Sequence, residues 1–535
     1  MIEKHLGQYI DVLNQRIFPA EIWVQDEKIL AIHECLSAPN HYILPGFIDA
    51  HVHIESSLLS PAEFARMALT HGTVASISDP HEIANVLGMA GVNYMIENGK
   101  QVPFYFYFGA PSCVPATIFE TAGASLDVAE VESLLANPDI YYLSEIMNFP
   151  GVLQANTEVM QKIAAAQALN KPVDGHAPGL RGAALQTYFD AGISTDHECF
   201  TLEEAEEKLK LGMHVLIREG SAAKNFDALI PLLDTYFKQI MFCSDDKHPD
   251  SLELGHINQL VARALQAGCN LFKVLQVACF NPAWHYKTKH GLLQVGDSAD
   301  FIMVQNLQDW KVVKTFIKGK LVAENGQSLC LKMPSKICNN FLAEPIQVSD
   351  LAYEPAMEEP VMVCLDGQLI TLRENVLKAN CTPQNDCLKL VVVNRYKPAK
   401  VAKAFVKNFG LNQGAIASSV AHDSHNIIAV GYDDESLVKA INLVIEAKGG
   451  LAACHASAHH ILPLPIAGLM SDLDAWQVSA DYTRLDRFSK EVLGASLTAP
   501  FMSLSFMALL VIPHLKLSDL GLFNGNTFSF VDKES

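Results

Sequence analysis

Leu44-Pro45-Gly46-Phe47-Ile48-Asp49-Ala50-His51-Val52-His53 decides how this chain is read. A short apolar run beginning at Tyr42 ends in two imidazoles two residues apart. On a β-strand, side chains at i and i+2 project to the same face. Both rings can then grip one divalent cation at the strand's C-terminal end, and neutral imidazole is the commonest side-chain metal ligand. An isolated His-x-His is equally compatible with a half-buried strand that binds nothing, so the rest of the chain has to separate the two.

Outward from that stretch the pattern repeats. Between residues 40 and 250, β-rich runs alternate with segments of helical periodicity. The runs are 43–50 (ending at His51), 73–78 (Asp79), 103–109, 139–144 (Glu145), 172–175 (His176), 192–196 (His197), 213–218 (Glu219) and 239–244 (Asp245). Helical segments lie between them, the first opened by Ser60-Pro61 as an N-cap followed by an N1 proline. Eight β-α units predict an α/β fold, a (β/α)8 TIM-like barrel. A doubly wound open sheet is the alternative. In a barrel the strand ends converge on one mouth, which gives so many ligand-type residues at those ends a common purpose.

The texture changes on both flanks. Residues 291–304 and 312–323 read as short strands with tight Gly/Asp turns, and residues 1–40 have similar character. They predict a small β-sandwich domain built from both sides of the barrel: 1–40 and 282–345 around a barrel over 41–281. Residues 346–535 form a further C-terminal α/β domain, with strands at 388–393 and 426–431. Its helix spans 434–448, closed by Gly449-Gly450. The apolar stretch 501–515 is too short to span a membrane and predicts a core helix.

Composition narrows the function classes. At 535 residues, 50% hydrophobic and 18% charged, the chain is a multi-domain globular protein. A formal charge of −20 disfavours nucleic acid and anionic membranes as partners. The 12 cysteines contain no C-x-x-C pair, which suits reduced thiols in the cytoplasm. The first 25 residues lack the apolar core of a signal peptide.

The strand ends together offer His51, His53, Glu145, His176, His197 and Asp245. Four imidazoles and two carboxylates suffice for two cations, which in two-metal sites sit about 3.5–4 Å apart and activate a shared water. A mixed N/O set without thiolate suits Mn2+ or Fe2+, with Zn2+ possible. No G-x-x-x-x-G-K-[ST] or convincing G-x-G-x-x-G is present. His53-Ile54-Glu55 matches the H-x-E of the zinc nucleobase deaminases, but the P-C-x-x-C those enzymes need is missing.

His51-Val52-His53 after Pro45-Gly46-Phe47-Ile48-Asp49 resembles the amidohydrolase superfamily, whose barrels place metal ligands after strands one, four, five, six and eight. More narrowly, His53-Ile-Glu-Ser-Ser57, Asp79-Pro-His-Glu-Ile-Ala-Asn85, Asp174-Gly-His-Ala-Pro-Gly179, Arg218-Glu-Gly-Ser-Ala-Ala-Lys-Asn225 and Phe242-Cys-Ser-Asp-Asp-Lys-His-Pro-Asp250 resemble the adenine deaminases. So do Ala421-His-Asp-Ser-His-Asn-Ile-Ile428 and Leu462-Pro-Leu-Pro-Ile-Ala-Gly468 in the C-terminal region. Where hydantoinase-like relatives carry a bridging carbamylated lysine this chain has Glu145, and the resemblance gives the bridging role to it. The implied activity is hydrolytic deamination of adenine to hypoxanthine and ammonia in purine salvage, by a cytoplasmic homodimer. The competing readings are a hydrolase of a cyclic amide, an N-acetyl sugar or a different nucleobase on the same barrel, and a non-catalytic scaffold.

Attack at C6 of adenine requires an activated water, a proton donor near N1 and a carboxylate that carries the water's proton to the leaving ammonia. Asp245 is the expected shuttle, with Asp246 on the opposite side of an extended chain. Glu55, His81, Glu82, Glu198 and Glu219 are candidate donors near strand ends, and Ser221 could donate to a purine nitrogen. His422, Asp423 and His425 are candidates to close over the mouth.

Overall fold

The computed structural model describes residues 2–531. The barrel strands are β1 (Phe47–Val52), β2 (Thr73–Ser78), β3 (Tyr105–Ala110), β4 (Ile140–Ile146), β5 (Val173–Gly175), β6 (Thr195–Asp196), β7 (His214–Arg218) and β8 (Ile240–Cys243). They pair in parallel as a five-stranded and a three-stranded sheet in sequence order. Ser194 N donates to Val173 O (2.9 Å) and joins the two sheets. The ring closes where Asp245 N donates to His51 O (2.9 Å) and His53 N to Asp245 O (3.4 Å). Asp49 reinforces this seam by accepting from Ser244 N (2.9 Å). Closure therefore places Asp245 against His51 and His53 by backbone bonding alone.

The run from 43 to 50 is not one strand. Tyr42–Pro45 belongs to the flanking sheet, pairing with Glu3–Asp11 and Phe301–Val304, and the barrel begins at Phe47. Pro45 has no N–H to continue a ladder. A Cβ on Gly46 would stand 2.4 Å from the Val74 methyls, so only glycine permits the step between sheets.

The flanking unit is a single eight-stranded sheet that draws strands from both sides of the barrel. Tyr9, Ile22 and Ile43 from the first part share a core with Phe301 and Phe316 from the second. The C-terminal domain is another eight-stranded sheet, covered by the helix Asp434–Glu446. Leu437, Ile441 and Val444 of that helix pack on Val391, Ala417 and Ala429. The helix ends two residues earlier than its periodicity suggests, because Lys448 (φ 53°) and Gly449 (φ 120°) take left-handed conformations that terminate it. The 501–515 stretch is helical only over Pro500–Phe506. A strand follows at Leu515–Ser518, and the intervening backbone is buried and irregular. Among the described residues no helix is long and apolar enough to cross a membrane.

This domain sits on the ligand-bearing end of the barrel. Ser471 N donates to Leu58 O (2.8 Å) and Ala223 N to Gly367 O (2.8 Å). Arg66 pairs with Asp474 (2.8 Å).

Candidate active site

All six strand-end donors converge. His51 Nε2 and His53 Nε2 lie 3.2 Å apart. His53 Nε2 stands 3.5 Å from both Glu145 Oε1 and Asp245 Oδ1. The other Glu145 oxygen, Oε2, is 2.8 Å from His176 Nδ1 and 3.1 Å from His197 Nε2. Glu145 thus presents one oxygen to the His53 side and the other to the His176/His197 pair, and Asp245 Oδ2 is 3.6 Å from His197 Nε2.

Asp245 reaches this position through its backbone. It sits at φ 54°, in the left-handed region that a non-glycine residue adopts at a cost of about 1–2 kcal/mol. The chain is therefore not extended there, and the simple alternation expected of Asp245 and Asp246 fails. Both line the cavity: Asp245 faces the imidazoles, and Asp246 accepts from Ser56 Oγ (2.5 Å).

The electrostatics are those of a buried charge network. Burial would raise the Asp245 carboxyl, but Arg218 and then His197, His51 and His53 hold it far below the usual carboxylate range. Burial is likewise overridden at Glu145, by His176 and His197. His53 is pushed up to about 10 because Asp245, Asp246 and Glu145 outweigh burial and the neighbouring His81. His51, by contrast, is lowered by burial and by its His197 and His53 neighbours. Four imidazoles and two carboxylates meet with no thiolate among them, and His51 Nδ1 and His176 Nε2 have no hydrogen-bond partner among the described residues. Overlapping three-donor groups form: His51, His53 and Asp245; His51, Glu145 and His197; His176, His197 and Glu198. This donor set fits a pair of divalent cations.

Of the remaining candidates, His81, Glu82, Glu198 and Asp246 line the cavity. His81 Nδ1 lies 3.1 Å from Asp79 Oδ2, and Glu198 is gripped by Arg218. Three others do not line it. Glu55 Oε1 accepts from Ile83 N (3.1 Å) at the start of the helix His81–Leu87. Its carboxyl is raised to about 7 by burial and by Glu82. Glu219 points away from the mouth and pairs with Arg263 (2.6 Å), since alternation at the end of β7 sends Arg218 inward and Glu219 outward. Ser221 accepts from His248 N (2.9 Å) and donates to Ser251 Oγ (3.2 Å), bracing the loops behind the site.

The residue that sequence reasoning overlooked on the barrel is Arg218, which bonds both Glu198 and Asp245. It shares a strand face with Leu216, and that period-two relation was the available signal. For the roof, the sequence points to His422, Asp423 and His425 but not to Leu369, Phe506 or Leu509. The C-terminal domain contributes Leu369, His422, Asp423, Phe506 and Leu509 to the cavity wall, opposite Met147 of the barrel. His422 Nδ1 lies 2.5 Å from Glu82 Oε1, and His425 contacts the other Glu82 oxygen.

Residues 42–322 match the amidohydrolase family, and residues 368–529 match the adenine deaminase C-terminal domain. The chain is 53% identical over 526 residues to an adenine deaminase of Sulfurovum sp. (strain NBC37-1), covering 98% of each. It is 52% identical to an adenine deaminase of Salinibacter ruber, again over 98% of each chain. An adenine deaminase of Methanosarcina mazei is 49% identical over 99% of both. The likeness thus runs from end to end of the chain, which belongs to the adenine deaminase family of amidohydrolases.

Proposed function

We propose that this protein is a metal-dependent hydrolase that deaminates adenine to hypoxanthine and ammonia. The observation that carries the reading is Glu145 standing between two sets of imidazoles beneath a roof supplied by the adenine deaminase-type C-terminal domain. His51, His53 and Asp245 would hold one cation and His176 and His197 the other, with Glu145 between them. Mn2+ or Fe2+ is the expected pair, with Zn2+ as the alternative. When bound, such a pair supplies Lewis acidity that lowers the pKa of water toward 7.

The chain's own side chains do the rest. Asp245, held as a carboxylate by Arg218, accepts the proton of the attacking water and delivers it to the departing amine. Glu82 is committed to His422 and His425, so it anchors the roof and does not donate to the substrate. That leaves His81, Asp246 and His422, whose Nε2 has no partner among the described residues, as cavity-facing groups able to protonate N1 of the ring. Leu369, Phe506, Leu509 and Met147 form the apolar surfaces that take a flat purine and exclude water from it.

All of the cysteines are free, in keeping with a cytoplasmic enzyme. The homodimer implied by family likeness is read directly by light scattering. The decisive experiment follows adenine absorbance and ammonia release in Mn2+-loaded protein, beside elemental analysis. Turnover of a hydantoin with no action on adenine would overturn the reading.

A further inference from the structure

A second cavity, of about 460 Å³, opens on the far side of the loops that follow β7 and β8. It shares no lining residue with the active site. Its wall carries Lys224, Lys247 and Arg263 beside Ser251, Gln259 and a single carboxylate, Glu219. In a chain of net charge −20, three cations around one cavity run against the overall balance.

Their pairing is uneven. Arg263 is satisfied by Glu219 (2.6 Å) and Asp227 (2.9 Å). Lys247 is only 6% exposed, yet its ammonium makes no hydrogen bond or ion pair among the described residues. The carboxylates near it are engaged elsewhere. Glu219 takes Arg263, and Asp49 takes His256 (2.8 Å) and the Ser244 amide. Asp250 takes the Ser251 amide (2.7 Å). Lys224, exposed on the same wall, is also unpaired among the described residues. With its stem buried, the Lys247 ammonium opens onto the cavity, the one direction from which a ligand could supply the missing charge.

Neutral donors are also in place. Ser251 Oγ accepts from Ser221 Oγ (3.2 Å), so its own hydrogen remains available. Gln259 Nε2 spends one hydrogen on Leu254 O (3.0 Å) and keeps the other. Two lysines acting as point charges, with a hydroxyl and an amide beside them, match the oxygens of a phosphate group. The volume exceeds that of the anion alone and falls within the usual range of small-ligand pockets.

We propose that this cavity binds a phosphate-bearing anion, held by Lys224 and Lys247 with Ser251 and Gln259 as neutral donors. The source is inorganic phosphate or a small phosphate monoester. The site lies directly behind the catalytic loops: Lys247 follows Asp246, and Ser221 N donates to Asp246 O (2.7 Å).

Calorimetric titration of Mn2+-loaded, full-length enzyme, with hypoxanthine saturating the active site, tests this using inorganic phosphate, AMP and adenosine. The expected result is one equivalent bound per chain for phosphate or AMP and none for adenosine. Tighter binding of AMP would identify a monoester site, and equal binding a phosphate site. Lys247→Met and Lys224→Met should each weaken binding by about tenfold, the loss of one charge-assisted contact. Lys224→Met should leave adenine turnover without added anion unchanged. Because Lys224 is exposed, that variant decides the matter even if the Lys247 variant does not fold. Absence of binding at millimolar phosphate, or binding untouched by Lys224→Met, overturns the proposal; the second outcome would place the anion elsewhere, including on the metals.

Discussion

Glu82 of the barrel and His422 of the C-terminal domain face each other across the mouth, with Oε1 and Nδ1 2.5 Å apart. Both side chains are buried, and His425 occupies the remaining Glu82 oxygen. One carboxylate therefore ties the roof to the barrel. Removing one partner of a buried pair costs about 3–5 kcal/mol, because the other is left uncompensated. Glu82→Gln should lower the melting temperature and raise KM for adenine more than it lowers kcat, as thermal melts and steady-state kinetics would show. A variant with wild-type KM would remove Glu82 from this anchoring role.

The same contact sets a pH window. Burial lowers the His422 ring, but Glu82 and Asp246 raise it to about 9, above its ordinary 6.5. Its stabilising contribution is fully present below pH 6.5 and is lost as pH rises through about 9. Glu82 is shifted the other way, its burial outweighed by His422 and His425. Its contribution is present above its ordinary 4.5 and is lost as pH falls toward its depressed value. Denaturant melts across alkaline pH should show stability declining through about pH 9, and His422→Gln should flatten that decline.

Glu145→Gln keeps the shape of the side chain but removes the charge shared by the two imidazole sets. Changes to groups merely behind metal ligands cost about 10–100-fold, so this one should cost several orders of magnitude in kcat and lower the metal content per chain. Near-normal activity with full metal occupancy would move the bridge to another residue.

Arg218 is the largest influence holding Asp245 ionised against burial. Arg218→Met should therefore raise the Asp245 carboxyl toward the ordinary range and move the acidic limb of the kcat/KM profile to higher pH, with reduced kcat at neutrality. An unmoved acidic limb would show that Asp245 is not the group titrating there.

Lys516 is fully buried and pushed down to about 7 by that burial. It donates to Leu369 O (2.6 Å) and Phe506 O (2.9 Å), the carbonyls of two residues that roof the cavity. Lys516→Met would orphan the Leu369 carbonyl, at about 1–3 kcal/mol, while Phe506 O would keep only the Leu509 amide (3.2 Å). KM for adenine should rise by about tenfold or more with a smaller change in kcat. Adenosine, bulkier at N9, is a second substrate with which to look for loosening.

What could be read without coordinates was local. His51, His53, Glu145, His176, His197 and Asp245 each close a short β-rich run, and a barrel brings such ends together whatever the loops do. Arg218 was legible in principle from its strand face. Glu55, Glu219 and Ser221 sit near strand ends too, yet they turn to a helix start, a surface pair and a loop brace. Alternation with Arg218 accounts for Glu219, but nothing in the spacing of Glu55 and Ser221 distinguishes these outcomes, because the direction of a side chain beyond the last ladder bond depends on the loop that follows.

The sequence by itself determined the barrel, the donor set and the chemistry those donors suit, since strand periodicity and ligand type are properties of a few adjacent residues. Only the tertiary structure decided that Asp245 turns inward on a left-handed backbone, that Arg218 holds it ionised, and that Leu369, His422 and Phe506 close the cavity from above. The first two join strand ends within the barrel and the third joins the barrel to the C-terminal domain, all positions far apart in the chain that only folding brings together.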